Sequence, residues 1–276
     1  MTLFAYLRGG GDLASGVALR LQRAGIPVLV AELPQPLVLR RLVSFANAVF
    51  EGQTYVEEVL GKRVSDVDEA LSVCRGGAIP VIIDPHADQL AVLQTTIGMQ
   101  TPLILIDGRM TKRPPDLGIE AARFVIGLGP GFTAGKNCHA VVETNRGHTL
   151  GRVIWEGSPE TDTGIPESVS EHSLGRVLRA PADGLLTAHT QIGEHVEPGQ
   201  LIAEVAGLPV KAAFRGVLRG LVYSGLPVWE GLKIGDIDPR DDPSFCRLVS
   251  DKSLAIGGGV LEAILSRPDL RPILWT

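Results

Sequence analysis

Cysteine is scarce: the 276 residues hold three, none in a CxxC pair, so neither a disulfide framework nor a cysteine-rich metal site organises the chain. Cys74, Cys138 and Cys246 lie far apart, and an odd number without framework spacing reads as free thiols in a reducing cytoplasm. Long apolar runs are missing too. None approaches the roughly 20 residues that a membrane-spanning helix needs. The opening Met1-Thr2-Leu3-Phe4-Ala5 has no basic leader, so no signal peptide is expected. Basic charge is also short, with 26 Lys and Arg against 31 Asp and Glu and a formal net charge of −5. Basic residues come in pairs, Arg40-Arg41 and Lys112-Arg113, never as a patch. A general nucleic-acid binder needs a basic footprint, so that class is excluded.

What remains is globular. Apolar residues make up 45% and charged residues 21%, enough for real cores, and the length suits two domains of roughly 100–200 residues each. The 33 glycines and 19 prolines gather after residue 105, where tight turns and short strands are expected.

Leu3 to Arg8 is a short apolar run that suits a buried strand and ends at Gly9-Gly10-Gly11-Asp12-Leu13-Ala14. Leu13, Val17 and Leu21 then recur at helical spacing, Gly25 closes the helix, and Ile26 to Glu32 reads as the next strand. In this strand–turn–helix–strand unit, Gly9-x-Gly11-x-x-Ala14 has the features of a dinucleotide turn. The first glycine turns tightly, the second lets a phosphate approach the backbone, and a small third residue lets helix pack on strand. The helix N-terminus offers N–H groups to an anion. Glu32, 21 positions after Gly11, stands where a ribose-binding acid belongs. The alternative is a glycine-rich turn that holds no ligand. Asp12 reads as an N-cap, although its charge would repel a pyrophosphate. Arg40 and Arg41, in helical patterning after Pro36, read as solvated. Further alternation follows: a helix from Val64 to Cys74 capped by Ser65, and apolar runs ending in Asp84 and Asp107 that suit parallel strands. Asp84-Pro-His86-Ala-Asp88 reads as a structured turn rather than a metal site, since no fourth ligand is evident.

Phe124-Val125-Ile126 reads as a last strand, leading into Gly127-Leu-Gly129-Pro-Gly131-Phe-Thr133-Ala-Gly135-Lys136. These glycines can form an anion nest. The Walker spacing fails, because Pro130 holds the first glycine position and Asn137 the hydroxyl position, so no NTPase is read here. Cys138 beside His139 is either a nucleophile with a lowered pKa or a buried structural thiol. Glu143, Arg146 and His148 either bind an anion or cross-link domains.

Between residues 180 and 240 one pattern occurs twice. Gly184, Gly193, Val196, Gly199, Ile202 and Val205 recur 32 residues on as Gly216, Gly225, Val228, Gly231, Ile234 and Ile237. Each half reads strand, turn, G-x-x-V-x-x-G turn, strand, the arrangement of a barrel-sandwich hybrid as in biotinyl and lipoyl domains. The hairpin that would carry the modified lysine reads Ala206-Gly207-Leu208-Pro209, and Lys211 falls in the next strand. No biotin or lipoate is therefore expected. A helix from Ser250 to Leu265 contains Gly257-Gly258-Gly259, which costs roughly 1 kcal/mol per glycine against alanine unless backbone packs closely there.

Arg8-Gly-Gly-Gly-Asp12-Leu-Ala-Ser-Gly16, Glu32-Leu-Pro-Gln-Pro36, Gly127 to Gly135, Val142-Glu-Thr-Asn-Arg-Gly-His148, Leu150-Gly-Arg152, Lys233 to Arg240 and Ser250 to Gly259 together resemble the YqeB-type family of the selenium-dependent molybdenum hydroxylase system. The resemblance runs from residue 8 to about 266. It implies a cytoplasmic accessory protein that matures a molybdenum hydroxylase, with the client enzyme and other maturation proteins as partners. A homo-oligomer and an enzymatic role of its own are left open. The expected organisation is a Rossmann-like α/β domain over 1–128, a glycine-rich connector over 129–175, a barrel-sandwich hybrid without carrier lysine over 176–242 and a C-terminal helical segment over 243–276. The expected ligand is a nucleotide or dinucleotide. Its candidate contacts are Gly9, Gly11, Asp12, Ala14, Glu32, Gly129, Gly131, Thr133, Arg146 and His148, with Cys138 and His139 as the candidate reactive pair. An NAD(P)-dependent oxidoreductase and a non-enzymatic scaffold for the client are the other two readings.

Overall fold

Runs of apolar residues that end in a glycine or an acid become a parallel sheet. The computed structural model describes residues 3–161 and 175–275. Part of the connector expected over 129–175 therefore lies outside the described residues. The chain divides into two compact units, Met1–Pro34, Phe45–Thr163 and Val249–Thr276 forming one and Gln35–Ser44 with Gly164–Leu248 the other. This division is discontinuous, whereas the sequence boundaries at 128, 175 and 242 are contiguous.

In the first unit, β1 (Phe4–Arg8), β2 (Val28–Glu32), β3 (Gln53–Val56), β4 (Val59–Val64), β5 (Ile79–Ile83), β6 (Leu103–Asp107), β7 (Phe124–Leu128), β8 (Ala140–Val142) and β9 (Val153–Ile154) form one sheet. Their order is β3-β4-β5-β2-β1-β6-β7-β8-β9. Pairings from β4 through β8 are parallel, and the edges β3 and β9 are antiparallel. Strands β1, β2, β6, β7 and β8 are buried at every position, as sheets covered on both faces require. The chain winds outward from β1 to β2 on one side and from β6 to β8 on the other. The order therefore reverses between β1 and β6.

Helices α1 (Asp12–Arg23), α2 (Ala48–Glu51), α3 (Val67–Arg75), α4 (Gln89–Ile97) and α5 (Asp251–Leu265) complete the unit. Helix α3 begins one residue later than a Ser65 cap suggests. Asp66 is its N-cap, accepting from the Glu69 N–H, while Glu69 reaches back to the Ser65 N–H, a capping box displaced by one residue. Helix α5 carries Gly257 because α1 lies directly against it, and Gly259 because the turn at Gly151 does. A Cβ at Gly257 would stand 2.6 Å from the Gly16 carbonyl, and one at Gly259 would stand 2.1 Å from the Gly151 carbonyl.

The second unit consists of β10 (Val177–Arg179), β11 (Gly184–Ala188), β12 (His195–Val196), β13 (Leu201–Val205), β14 (Leu208–Lys211), β15 (Gly216–Leu221), β16 (Pro227–Val228) and β17 (Lys233–Asp238). They form two antiparallel sheets, β10-β17-β15-β12 and β14-β13-β11-β16. The sequence repeat is a structural one. Strand β11 pairs with β16 through Gly184 and Val228, and β15 pairs with β12 through Gly216 and Val196, so each half hands its short strand to the other. The repeated turn glycines Gly193 and Gly225 both take left-handed φ, +99° and +87°, which a side chain would strain. Arg40 and Arg41, read from the sequence as solvated, are instead engaged. Arg40 is buried and donates to the carbonyls of Phe245 and Leu248, and Arg41 donates to the Leu221 carbonyl and lies over the Tyr223 ring. Helical spacing misled here because Leu37 to Arg40 runs without regular structure, and guanidiniums suit bare loop carbonyls. Among the described residues no helix is long and apolar enough to cross a membrane.

Candidate functional site

The reversal in strand order fixes where to look, since open parallel sheets bind ligands beyond their carboxyl ends at such a point. Strands β1, β2, β5, β6, β7 and β8 present Arg8, Glu32, Ile83, Asp107, Leu128 and Val142 along that edge.

The glycine turn lies there and is filled by the protein's own atoms. Gly9 takes φ +92°, which gives the tight turn expected of it. A Cβ at Gly10 would stand 2.8 Å from the Ala46 nitrogen, so the close backbone approach comes from residues 45–46. The Ala46 N–H donates to the Gly10 carbonyl, and buried Ser15 joins the two segments, donating to Gly10 and accepting from the Phe45 N–H. Glu32 is buried and its carboxylate accepts from the N–H groups of Gly10 (2.6 Å) and Leu33 (2.7 Å). Burial pushes its pKa up, and those two N–H donors oppose the shift. Gly11, not Asp12, holds the N-cap position of α1; Asp12 begins the helix and accepts from the Ser253 hydroxyl. Ala14 is small for a packing reason: a Cβ on Gly108 would come within 3.0 Å of it.

Next to this turn lies a network of charged groups, of which Asp84 and Asp107 were expected from the sequence at the strand ends and Arg8, Arg109 and Asp116 were not. Arg8, nearly fully buried at the end of β1, donates from Nη1 and Nη2 to the two oxygens of Asp116 at 2.6 and 3.0 Å. Arg109 donates to both oxygens of Asp107, with its Nη2 2.6 Å from Oδ2, and also to Asp116. The Arg8 guanidinium, then Arg109, holds the Asp116 carboxyl well below the usual carboxylate range. Asp84 accepts from the Tyr6 hydroxyl and from the N–H groups of Asp88 and Gln89, so it caps the entry to α4, while His86 and Asp88 face outward. Burial and the Asp84 hydrogen bond drive the Tyr6 hydroxyl far above its ordinary pKa. The sequence signals for this network were the acids that end the apolar runs at Asp84 and Asp107 and the arginine that closes the otherwise apolar β1.

The glycine-rich loop after β7 is packed rather than open. A Cβ on Gly129 would meet the Thr144 hydroxyl at 2.2 Å, and one on Gly131 the Arg113 carbonyl at 2.4 Å. The Thr133 N–H donates to Asn137, and its hydroxyl pairs with Ser158. Cys138 is fully buried and its thiol is pushed up to about 11 by burial, against two backbone hydrogen bonds. His139 turns to another neighbour: its Nδ1 accepts from the Val125 N–H, and burial, then Arg267, lowers its pKa. Buried Glu143 accepts from the N–H groups of Thr144, Asn145 and Glu160. Arg146 is exposed and pairs with Asp251 at the start of α5, and His148 is exposed. The structure thus joins Gly9, Gly11, Ala14 and Glu32 in one turn. It places Gly129, Gly131 and Thr133 on the neighbouring loop, with Arg146 and His148 at the rim. A separate cavity of about 410 Å³ at the carboxyl ends of β4 and β5 is lined by Gly52, Arg63, Val64, Ser65, Glu69, Ile82 and Ile83, none of them a candidate site residue from the sequence.

These features define a mixed α/β protein with a mainly parallel sheet and a C-terminal helix, joined in one chain to an all-β unit. The chain is 45% identical over 259 residues to the uncharacterized protein YqeB of Escherichia coli strain K12, an alignment covering 94% of this chain and 47% of YqeB. That identity supports the YqeB family, and the chain spans about half the length of that curated relative. No family model matches. Among solved structures, an aspartoacylase family protein from Mesorhizobium loti is 11% identical with a TM-score of 0.26, over 85% of this chain and 84% of that one. The ectoine utilization protein EutE (DoeB) from Ruegeria pomeroyi, in its apo form, is 10% identical with a TM-score of 0.26, over 84% and 85%. At such scores neither likeness carries an inference about this chain.

Proposed function

We propose that this chain is a nucleotide- or dinucleotide-binding accessory protein in the maturation of a selenium-dependent molybdenum hydroxylase. The observation that carries the binding half is topological. With the β3–β4 hairpin set aside, the order β5-β2-β1-β6-β7-β8 is that of a Rossmann-like sheet, and the glycine turn sits at its reversal. The maturation half rests on the motifs from Arg8 to Gly259 that resemble the YqeB-type family. Phosphate would lie along the carboxyl edge beside Gly9–Gly11. Direct contact at Gly10 would require Glu32 to release that N–H.

The second unit is read as a barrel-sandwich hybrid, because its halves exchange β12 and β16 and repeat every 32 residues. Its connecting hairpin presents Ala206, Gly207 and Leu208, which suits docking of the client rather than carriage of biotin or lipoate.

Thermal shifts of the full chain against NAD, NADP, ATP, CTP and a molybdopterin dinucleotide test the reading. Ligand at ~100 times its dissociation constant should stabilise by about 2.7 kcal/mol. Gly11→Asp is the control: aspartate is a good N-cap, so the fold survives while its charge opposes phosphate. A shift lost in the control supports the glycine turn. Silence across the panel sinks nucleotide binding. Client hydroxylase from cells lacking the protein should contain less molybdenum and selenium; full loading there would remove the maturation role.

A further inference from the structure

Two guanidiniums at the reversal of the sheet are held by one carboxylate from an outer loop. Asp116 places its Oδ1 2.6 Å from Arg8 Nη1 and 2.6 Å from Arg109 Nη2, and its Oδ2 3.0 Å from Arg8 Nη2. A planar oxyanion gripped by two forks is how arginine pairs recognise phosphate and carboxylate. The burial is lopsided: the Arg8 side chain is 2% exposed and that of Asp116 is 53% exposed. Arg8 is therefore part of the sheet, Arg109 follows the end of β6 by two residues, and the anion between them is a loop side chain. Asp107 grips Arg109 from the opposite side at 2.6 Å and stands 3.7 Å from Arg8. Two arginines and two aspartates balance; with Asp116 withdrawn, one positive charge is left over.

The loop bearing Asp116 is strained. Met110 and Lys112, between Arg109 and Asp116, take left-handed φ of 55° and 58°, a conformation that side chains disfavour. Residues 111–114 are exposed and include Lys112 and Arg113, which adds positive charge beside the pair. Strand β1 ends in Arg8 and β6 in Asp107, the two strands between which the order reverses.

We propose that Asp116 is a built-in stand-in for a ligand's phosphate, and that Arg8 and Arg109 form a phosphate receptor that opens when Asp116 leaves with its loop. The pair suits the phosphate of a nucleoside diphosphate or free pyrophosphate alike. The proposal rests on reading the carboxyl edge as a phosphate-binding edge, but it concerns a different set of residues from the glycine turn.

Isothermal titration of the full chain with pyrophosphate and with CDP, at pH 7.5 in chloride buffer, tests it. Asp116→Asn removes the competing charge and should bind pyrophosphate at least tenfold more tightly than the unaltered chain. Adding Arg109→Gln to that variant should reverse the gain. Asp116→Ser serves the same purpose if the asparagine variant does not give a native melting curve. No gain on removing Asp116, or a gain that survives loss of Arg109, overturns the receptor. CDP bound equally well by every variant also overturns it and leaves nucleotide binding standing. A pyrophosphate gain without any CDP binding supports the receptor, with free phosphate as its ligand, and counts against the nucleotide reading.

Discussion

Cys138 shows how burial decides what a reactive residue type can do. Next to an imidazole and a glycine-rich loop, its sequence setting suggests a lowered pKa. In the fold the thiol has no exposure and lies in the core cluster with Phe132 and Val141, while His139 accepts its hydrogen bond from Val125. Cys138 follows a turn and His139 lies at a bend before β8, and the two side chains go to different neighbours, so adjacency brought no contact. With the thiol pushed up to about 11, roughly one molecule in a thousand carries a thiolate at pH 8. Alkylation of the native chain between pH 7 and 9 should therefore leave Cys138 unmodified, and denaturant should expose it. Rapid labelling at pH 7 without denaturant would restore it as a nucleophile. Glu32 offers a parallel case. Its place at the end of β2 was legible, but its partner was not, because the Gly10 N–H that it accepts from lies 22 positions away.

Helix α5 separates glycines that packing requires from one that it does not. A Cβ on Gly258 would meet nothing within 4 Å, whereas one on Gly259 would meet the Gly151 carbonyl at 2.1 Å. Gly258→Ala should therefore stabilise the protein by about 0.5–1 kcal/mol through helix propensity. Gly259→Ala should destabilise it by roughly 1–3 kcal/mol, because backbone has to move. Urea melts of the two variants side by side check this; equal effects would mean that α5 does not pack this closely on the Gly151 turn. Much at this level could be read in advance. Apolar runs located β1, β2, β5, β6 and β7, and Ser250 marked the start of α5, where it accepts from the Ser253 N–H. The hairpin β3–β4 was not legible, because Gln53-Thr-Tyr-Val56 alternates weakly and lies at an edge. Nor was the Arg8, Arg109 and Asp116 network, whose members stand as far as 108 positions apart and meet only through parallel pairing.

Across the whole chain, the least legible feature is the path of residues 35–44. Prolines 34 and 36 suggested only a break before a helix, yet Gln35–Ser44 groups with Gly164–Leu248. Its ties are specific: the Leu221 N–H donates to the Leu39 carbonyl, the Leu39 backbone fills the space beside Gly220, and Arg40 donates to two carbonyls. A Cβ at Gly220 would stand 3.1 Å from the Leu39 carbonyl, so the glycine serves this strand of chain. The sequence repeat could not announce the segment, because it lies some 140 residues before the first copy and belongs to neither half. Arg40→Ala takes a charged donor from two part-buried carbonyls, a loss of about 1–2 kcal/mol. If the segment is part of the second unit, hydrogen exchange of the full-length variant should quicken at Leu221 and its β15 neighbours and stay unchanged in β1 and β6. Faster exchange in β1 with β15 still protected would assign residues 35–44 to the first unit. Because the Leu221 N–H bonds to Leu39 directly, the deciding amide is that of Leu218, which donates to the Glu194 carbonyl and has no bond to residues 35–44 that local fraying at Arg40 would break.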